Sequence, residues 1–219
     1  MNKKIKTIKI NNKEYPEKLK QLENPPKQIY VLGDWGILND FSIAIVGCRL
    51  CSDYGKNMAQ SIAYNLAKHN INVISGLALG IDTNAHLGCL MNRGKTIAVV
   101  AHGLDMIYPT QNINLANEII EKGGAIISEY PVGVRPRKEN FPERNRLISG
   151  LSNGVVVIEA KEKSGSLITV ECALEQGKDV FAVPGNINSS NSIGKNNLIK
   201  EGAKITTCVN DILEEYKFN

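Results

Sequence analysis

Long apolar runs are missing from this chain of 219 residues. A membrane-spanning helix needs roughly 18 to 20 consecutive apolar residues. The longest runs here, TIAVVA (96–101) and VVVIEA (155–160), are only strand-sized. No membrane partner is expected. The basic N-terminus, MNKKIKTIKINNK, has no apolar stretch behind it and does not read as a secretory signal. Cysteines number five, an odd count in a chain too large to need staples, which suits a reducing cytosol. A cytoplasmic location is therefore the expectation. Cys48 and Cys51 form a C-x-x-C, but no second such pair and no histidine pair follows at metal spacing, so no metal or redox site is expected. The dinucleotide fingerprint G-x-G-x-x-G is also absent, and no cofactor is expected. Excess charge of one sign is small, +4, so only local clustering can argue for a polyanionic partner. Repeats and low-complexity segments are lacking.

What remains is an ordinary globular composition, 42% hydrophobic and 22% charged, in a chain long enough to bury a core. A rhythm runs through it: a short β-branched run, a turn with Gly or Ser, then a helical stretch. SIAIV (42–46), NVIS (72–75), TIAVVA (96–101), AIIS (125–128), VVVIEA (155–160), DVFAV (179–183) and AKIT (203–206) are the strands. Helices are expected near 54–69, 82–92, 112–122, 143–151, 166–176, 195–201 and 210–217. Continuous rather than alternating apolar strands fit a sheet covered on both sides. The fold class is therefore α/β: a doubly wound, mostly parallel, extended Rossmann-like sheet with helices on both faces. Residues 1–40 are proline-punctuated and start no strand–helix unit; they read as an extension packed on a core of residues 41–219. Seven lysines against two glutamates in the first twenty residues read as a solvated, partly frayed terminus.

In such folds ligands sit beyond the carboxyl ends of the strands. The strand-to-helix loops therefore converge on one rim, and several carry suitable chemistry. Gly47 ends the first core strand, where an absent side chain lets an oxygen-rich ligand approach the backbone, and Arg49 adds a fork for phosphate. The plainer reading is a tight turn with Arg49 in a surface salt bridge. Asp82 and His86 stand four apart on one helical face; a helix-start acid is preferred to an acid–base pair, since no nucleophile accompanies them. Ser164, Gly165, Ser166 and Thr169 sit at a helix start and suit either a phosphate cradle or capping. The stretch RPRKENFPERNRLISG (135–150) gathers Arg135, Arg137, Lys138, Arg144 and Arg146, opposed only by Glu139 and Glu143. Cations neutralise phosphates, Phe141 can stack on an unpaired base, and Asn145 can bond a base edge or hold the loop. Arg144 and Arg146, two residues apart on a helix, cannot face solvent equally.

The motifs YPEKL…PPKQIYVLGD, IAIVGCR…YG, VISGLALGIDTNAH, TIAVVAHGLDMIYP, ISEYP…FPERNRLISGLS, VVVIEAKEKSGSLITVECALEQGKDVFAVPGNI and GKNNLIKEGA, in this order, resemble the DprA/Smf family of DNA-processing proteins. That resemblance implies a non-enzymatic Rossmann-like domain that binds single-stranded DNA, commonly as a homodimer, and helps load the RecA recombinase in natural transformation. It marks Gly47, Arg49, Phe141, Arg144, Asn145 and Arg146 as DNA contacts. Ser164, Gly165 and Ser166 line the same rim, with Arg137 and Lys138 beside it. Cys48 departs from the Ser or Thr more usual in the family. Accessory N- and C-terminal domains of many members are not expected here. Two rival readings remain. One is a nucleoside-monophosphate phosphoribohydrolase-like enzyme using Gly165, Thr169 and Glu171; the other is a small-nucleotide sensor on the same rim.

Overall fold

Ser42–Val46 is buried at every position, as a strand covered on both faces must be. It is the hinge of the architecture. The computed structural model describes residues 4–217, so Lys3 of the basic terminus and residues 218–219 lie outside it. Among the described residues nine strands form one sheet: β1 (Lys6–Lys9), β2 (Gln28–Gly33), β3 (Ser42–Val46), β4 (Asn72–Ser75), β5 (Thr96–Val100), β6 (Ala125–Ser128), β7 (Gly154–Val157), β8 (Asp179–Ala182) and β9 (Lys204–Ile205). Their order is β1-β2-β6-β5-β4-β3-β7-β8-β9. From β6 to β9 across that order all neighbours are parallel, whereas β1 and β2 pair antiparallel.

The helices are α1 (Glu17–Lys20), α2 (Asp53–Lys68), α3 (Ile81–Met91), α4 (Ile113–Glu121), α5 (Asn140–Leu151), α6 (Gly165–Glu175), α7 (Ile193–Lys200) and α8 (Asn210–Glu215). Side chains alternate across a strand, and β3 shows the result. Ala44 and Val46 join α1, α5 and α6 through Leu19, Leu147, Ile148 and Val170. Ile43 and Ile45 join α2, α3 and α8 through Ile62, Ala85 and Ile212. Leu115 and Ile119 of α4 cover Ala98, Val100 and Ile126 on that second face. The expected doubly wound sheet is what the chain forms.

Residues 1–40 do more than pack on the core. Residues Tyr30 to Gly33 of β2 pair with Ser128 to Ala125 of β6, and β1 pairs outside β2. The segment is thus hydrogen-bonded into the sheet, with Ile8, Ile29 and Val31 buried beside the α5 face. Lys18 ties the two stretches further. Its amine donates to the Asp40 carbonyl at 2.8 Å and to Asn153 Oδ1 at 2.7 Å, and burial pushes its pKa down to about 8.

Strand order reverses at β3. The chain winds outward from β3 through β4, β5 and β6, returns over α5, and re-enters beside β3 as β7. The loops after β3 and β7 therefore diverge at the switch point, where an open α/β sheet leaves a crevice.

Candidate functional site

A cleft of about 360 Å³ opens at that switch point. The end of β3 and its loop (Val46 to Leu50), the start of α3 (Ala78, Asp82), α5 and the loop from β7 into α6 (Lys161 to Ser166) all line it. Helical spacing explains the α5 contribution. Phe141, Arg144, Asn145 and Ile148 stand at i, i+3, i+4 and i+7, one face of a helix, and all four line the cleft.

The loop after β3 is held on both sides. The Cys48 amide donates to the Glu159 carbonyl at 2.9 Å, and the Cys48 carbonyl accepts from the Ile81 amide at 3.2 Å. Gly80, at φ +81°, allows that approach, since the carbonyls of Cys48 and Arg49 occupy the space a Cβ would take. The buried Glu159 carboxylate accepts from the Ser52 amide at 2.8 Å, from Ser52 Oγ at 2.5 Å and from Asn191 Nδ2 at 3.4 Å. Cys48 Sγ donates to it at 3.6 Å. Burial first, then Glu159, pushes the Cys48 thiol up to about 12. All five cysteines are free.

Gly47 answers to an internal demand. A Cβ there would meet Ile81 Cγ1 at 2.6 Å and the Glu159 carbonyl at 2.9 Å, so α3 and the segment after β7 already require glycine. Arg49 is exposed, makes no ion pair among the described residues, and places its guanidinium carbon 5.2 Å from the Phe141 ring centroid. That is cation–π range.

Arg144 and Arg146 part company. Arg144 is 5% exposed; its guanidinium donates to the Gly76 carbonyl at 2.8 Å and to the Val99 carbonyl. It lines the cleft as a buried strut, so of the two arginines that could not face solvent equally it is the one turned inward. Burial lowers its pKa to about 10, which leaves it charged at neutral pH. Beside it Asp82 accepts from the Gly76 and Ala78 amides at 3.1 and 3.3 Å; burial raises its pKa, and Arg144 pulls it back down. Arg146 lies on the opposite face of α5, in a two-pronged ion pair with Glu129 at 2.7 and 2.8 Å, outside the cleft. There it lines a second pocket with Glu129 and Pro25. Asn145 is buried, accepting from Arg144 Nε at 3.2 Å and donating to the Gly165 carbonyl at 3.1 Å. It holds α5 to the α6 entrance.

That entrance is the other half of the cleft. Ser164 caps α6, its Oγ 2.7 Å from Ser166 Oγ, and the space where a Gly165 Cβ would stand is open to 4 Å. Ser164, Gly165 and Ser166 line the same cleft as Arg49, and a helix N-terminus favours an anion. Lys161 and Lys163, which residue spacing did not single out, line it too and are exposed without ion pairs among the described residues. Their signal was their place in a strand-to-helix loop. Arg137 and Lys138 lie exposed on the 129–139 loop, outside the lining. Asp82 and His86 make no dyad: His86 Nδ1 pairs with Thr96 Oγ1 at 2.7 Å, and burial lowers its pKa to about 3. Thr169 lines the cleft, while Glu171, about 200° further round α6, is exposed and does not. Among the described residues no group of three His, Cys, Asp or Glu could hold a metal, and no helix is long and apolar enough to cross a membrane.

An open doubly wound sheet with a cationic cleft at its switch point defines a Rossmann-like domain. The chain matches the model of the family described as DNA recombination-mediator protein A over residues 6–217, and it belongs to that family, DprA/Smf. Protein Smf of Escherichia coli is 44% identical over 96% of this chain, which spans 56% of the length of that relative. DNA processing protein A of Streptococcus pneumoniae superposes with a TM-score of 0.92 at 43% identity, covering 99% of this chain and 76% of that one. The Helicobacter pylori protein, whose structure was determined for its single-stranded DNA binding mode, gives 0.88 at 32% identity, covering 99% and 97%.

Proposed function

We propose that this domain binds single-stranded DNA, with little regard to sequence, in the cleft at the switch point. One observation carries the reading: the Arg49 guanidinium stands 5.2 Å from the Phe141 ring in a cleft shared with the α6 N-terminus. A phosphate needs the cation and the helix amides, and an unpaired base needs an aromatic face; a flexible single strand can offer both at once. The DNA-binding relative from Helicobacter pylori supports the same ligand here. Gly47 shapes the cleft. Arg49, Phe141, Ser164, Gly165 and Ser166 make the contacts, with Arg144 and Asn145 beneath them and Arg137 and Lys138 alongside. The family's description as a DNA recombination mediator supports a role in recombination, and we propose that the domain serves it without catalysis, as a cytoplasmic homodimer that loads RecA during natural transformation.

Titration of labelled oligo-dT and of duplex across a salt series tests this. Four to six phosphate contacts give a log–log slope of about −3 to −4 at roughly −0.7 each. Single strands are expected to bind more tightly than duplex. Arg49→Ala should weaken binding and flatten the slope, and Phe141→Ala should cost about 1 to 3 kcal/mol. Unchanged affinity and slope in Arg49→Ala would sink the assignment.

The cleft volume also suits a mononucleotide, which keeps the sensor reading in play. Thermal stabilisation by a mononucleotide but not by oligo-dT would favour it. Release of free base from a nucleoside monophosphate, abolished by Glu171→Ala, would instead establish the phosphoribohydrolase reading, although Glu171 stands outside the cleft lining.

A further inference from the structure

Tyr108, in the loop after β5, is not among the cleft's lining residues, yet its ring centroid lies 6.2 Å from that of Phe141 at an interplanar angle of 54°. A tyrosine placed for packing buries its ring and bonds its hydroxyl. Tyr108 is 45% exposed, and its hydroxyl has no hydrogen-bond partner among the described residues.

The loop that carries it is stitched to the basic loop after β6. The Gly103 amide donates to the Val134 carbonyl at 2.8 Å, the Gly133 amide to Asp105 Oδ1 at 3.0 Å, and Asn140 Nδ2 to the Ala101 carbonyl at 3.1 Å. Between those stitches Arg135, Arg137 and Lys138 stand exposed, with no ion pair among the described residues. The acids nearby are few: Asp105 is engaged by Gly133, Glu143 accepts from the Tyr130 hydroxyl at 2.8 Å, and Glu139 is exposed. The apron beyond Phe141 is thus aromatic first and cationic next, the same pairing of chemistries as in the cleft.

We propose that Tyr108 is a second base-stacking platform, which carries a single strand out of the cleft, over Phe141, toward Arg135, Arg137 and Lys138. The proposal rests on the single-strand reading above and gives that site an extent and an exit. A stacked base is held by its ring face, so the contact tolerates any base. It adds affinity without adding a phosphate contact, so it leaves the salt slope alone.

The experiment compares Tyr108→Ala, Tyr108→Leu and Tyr108→Phe on oligo-dT of rising length, with thermal melts as a check on folding. Tyr108→Leu keeps apolar packing against Phe141 but removes the aromatic face, and it decides the matter if the alanine variant does not fold. Tyr108→Leu and Tyr108→Ala are expected to bind long oligo-dT about tenfold more weakly at unchanged salt slope. Tyr108→Phe should match the parent, and the shortest oligomers that still bind should show no difference among the four proteins. Parental affinity in Tyr108→Leu on long oligomers, beside a clear loss in Arg49→Ala, overturns the platform and leaves the cleft standing. Parental affinity in both variants overturns the cleft as well.

Discussion

Two loops bracket Phe141, and they are built on opposite plans. The loop after β3, Gly47 to Ser52, is gripped through its backbone by Glu159 and Ile81, and it presents one exposed arginine, Arg49. The loop after β6 carries three exposed cations, Arg135, Arg137 and Lys138, and its backbone is stitched to the core mainly at Gly133 and Val134. Charge count favours the second loop; preorganisation favours the first. A cation held in place loses little entropy on meeting a phosphate, whereas a mobile one gives back part of its Coulomb gain. On the proposed single-strand reading, Arg49 is therefore the anchor, and the basic loop supplies attraction over a longer range.

The comparison breaks most visibly at Arg144. If Arg144 belonged with the exposed cations, Arg144→Ala would weaken DNA binding and leave the fold alone. As a strut it does the reverse: the Gly76 and Val99 carbonyls lose their donor, and Asp82 is left buried beside an empty space. Leaving buried polar groups without their partner costs about 1 to 3 kcal/mol each. Chemical denaturation should show a loss of that order, and a loss under about 1 kcal/mol returns Arg144 to the surface set.

Glu159 sharpens the comparison further, because two effects at it have opposite signs. It is a buried acid behind a site proposed to take phosphate, so by Coulomb's law alone Glu159→Ala should tighten DNA binding. The same substitution strips the Ser52 amide and hydroxyl of their acceptor and frees the Arg49 loop. Leaving such donors unsatisfied costs about 1 to 3 kcal/mol of stability. Preorganisation is expected to win, with weaker binding at an unchanged salt slope. Tighter binding would show that the grip on this loop serves the fold and not the ligand.

How much of this was legible beforehand follows from what each residue answers to. The parallel strands answer to burial on both faces, which writes continuous apolar runs into the sequence; SIAIV, NVIS and AIIS are strands to the residue. β1 and β2 were not legible, because KTIK is short and QIYVLG alternates between buried and half-buried at an antiparallel margin. Convergence of Arg49, Phe141 and Ser164 to Ser166 follows from the rule that strand-to-helix loops share one edge. The inward turn of Arg144 was half legible. Its spacing from Phe141 puts both on one face of α5, but only the carbonyls of Gly76 and Val99, distant in sequence, decide that the guanidinium points down. Glu159 and Tyr108 gave no local signal, since each draws its meaning from a loop elsewhere in the chain.

The smallest effect belongs to the basic loop. Arg137 is exposed, outside the cleft and free of ion pairs among the described residues. Arg137→Ala therefore leaves stability within about 0.5 kcal/mol of the parent. If the strand reaches it, one phosphate contact is lost and the log–log salt slope falls by about 0.7. The gap between variant and parent then closes at high salt, where screening removes a long-range attraction. Arg49→Ala behaves differently: besides a phosphate contact it removes the cation packed over the Phe141 ring, so part of its loss is misplacement of Phe141, which salt does not screen and which persists as salt rises. Two salt titrations, one per variant, thus separate the anchor from the apron. Curves of the same shape would mean that the two loops, for all their difference in construction, meet the strand in the same way.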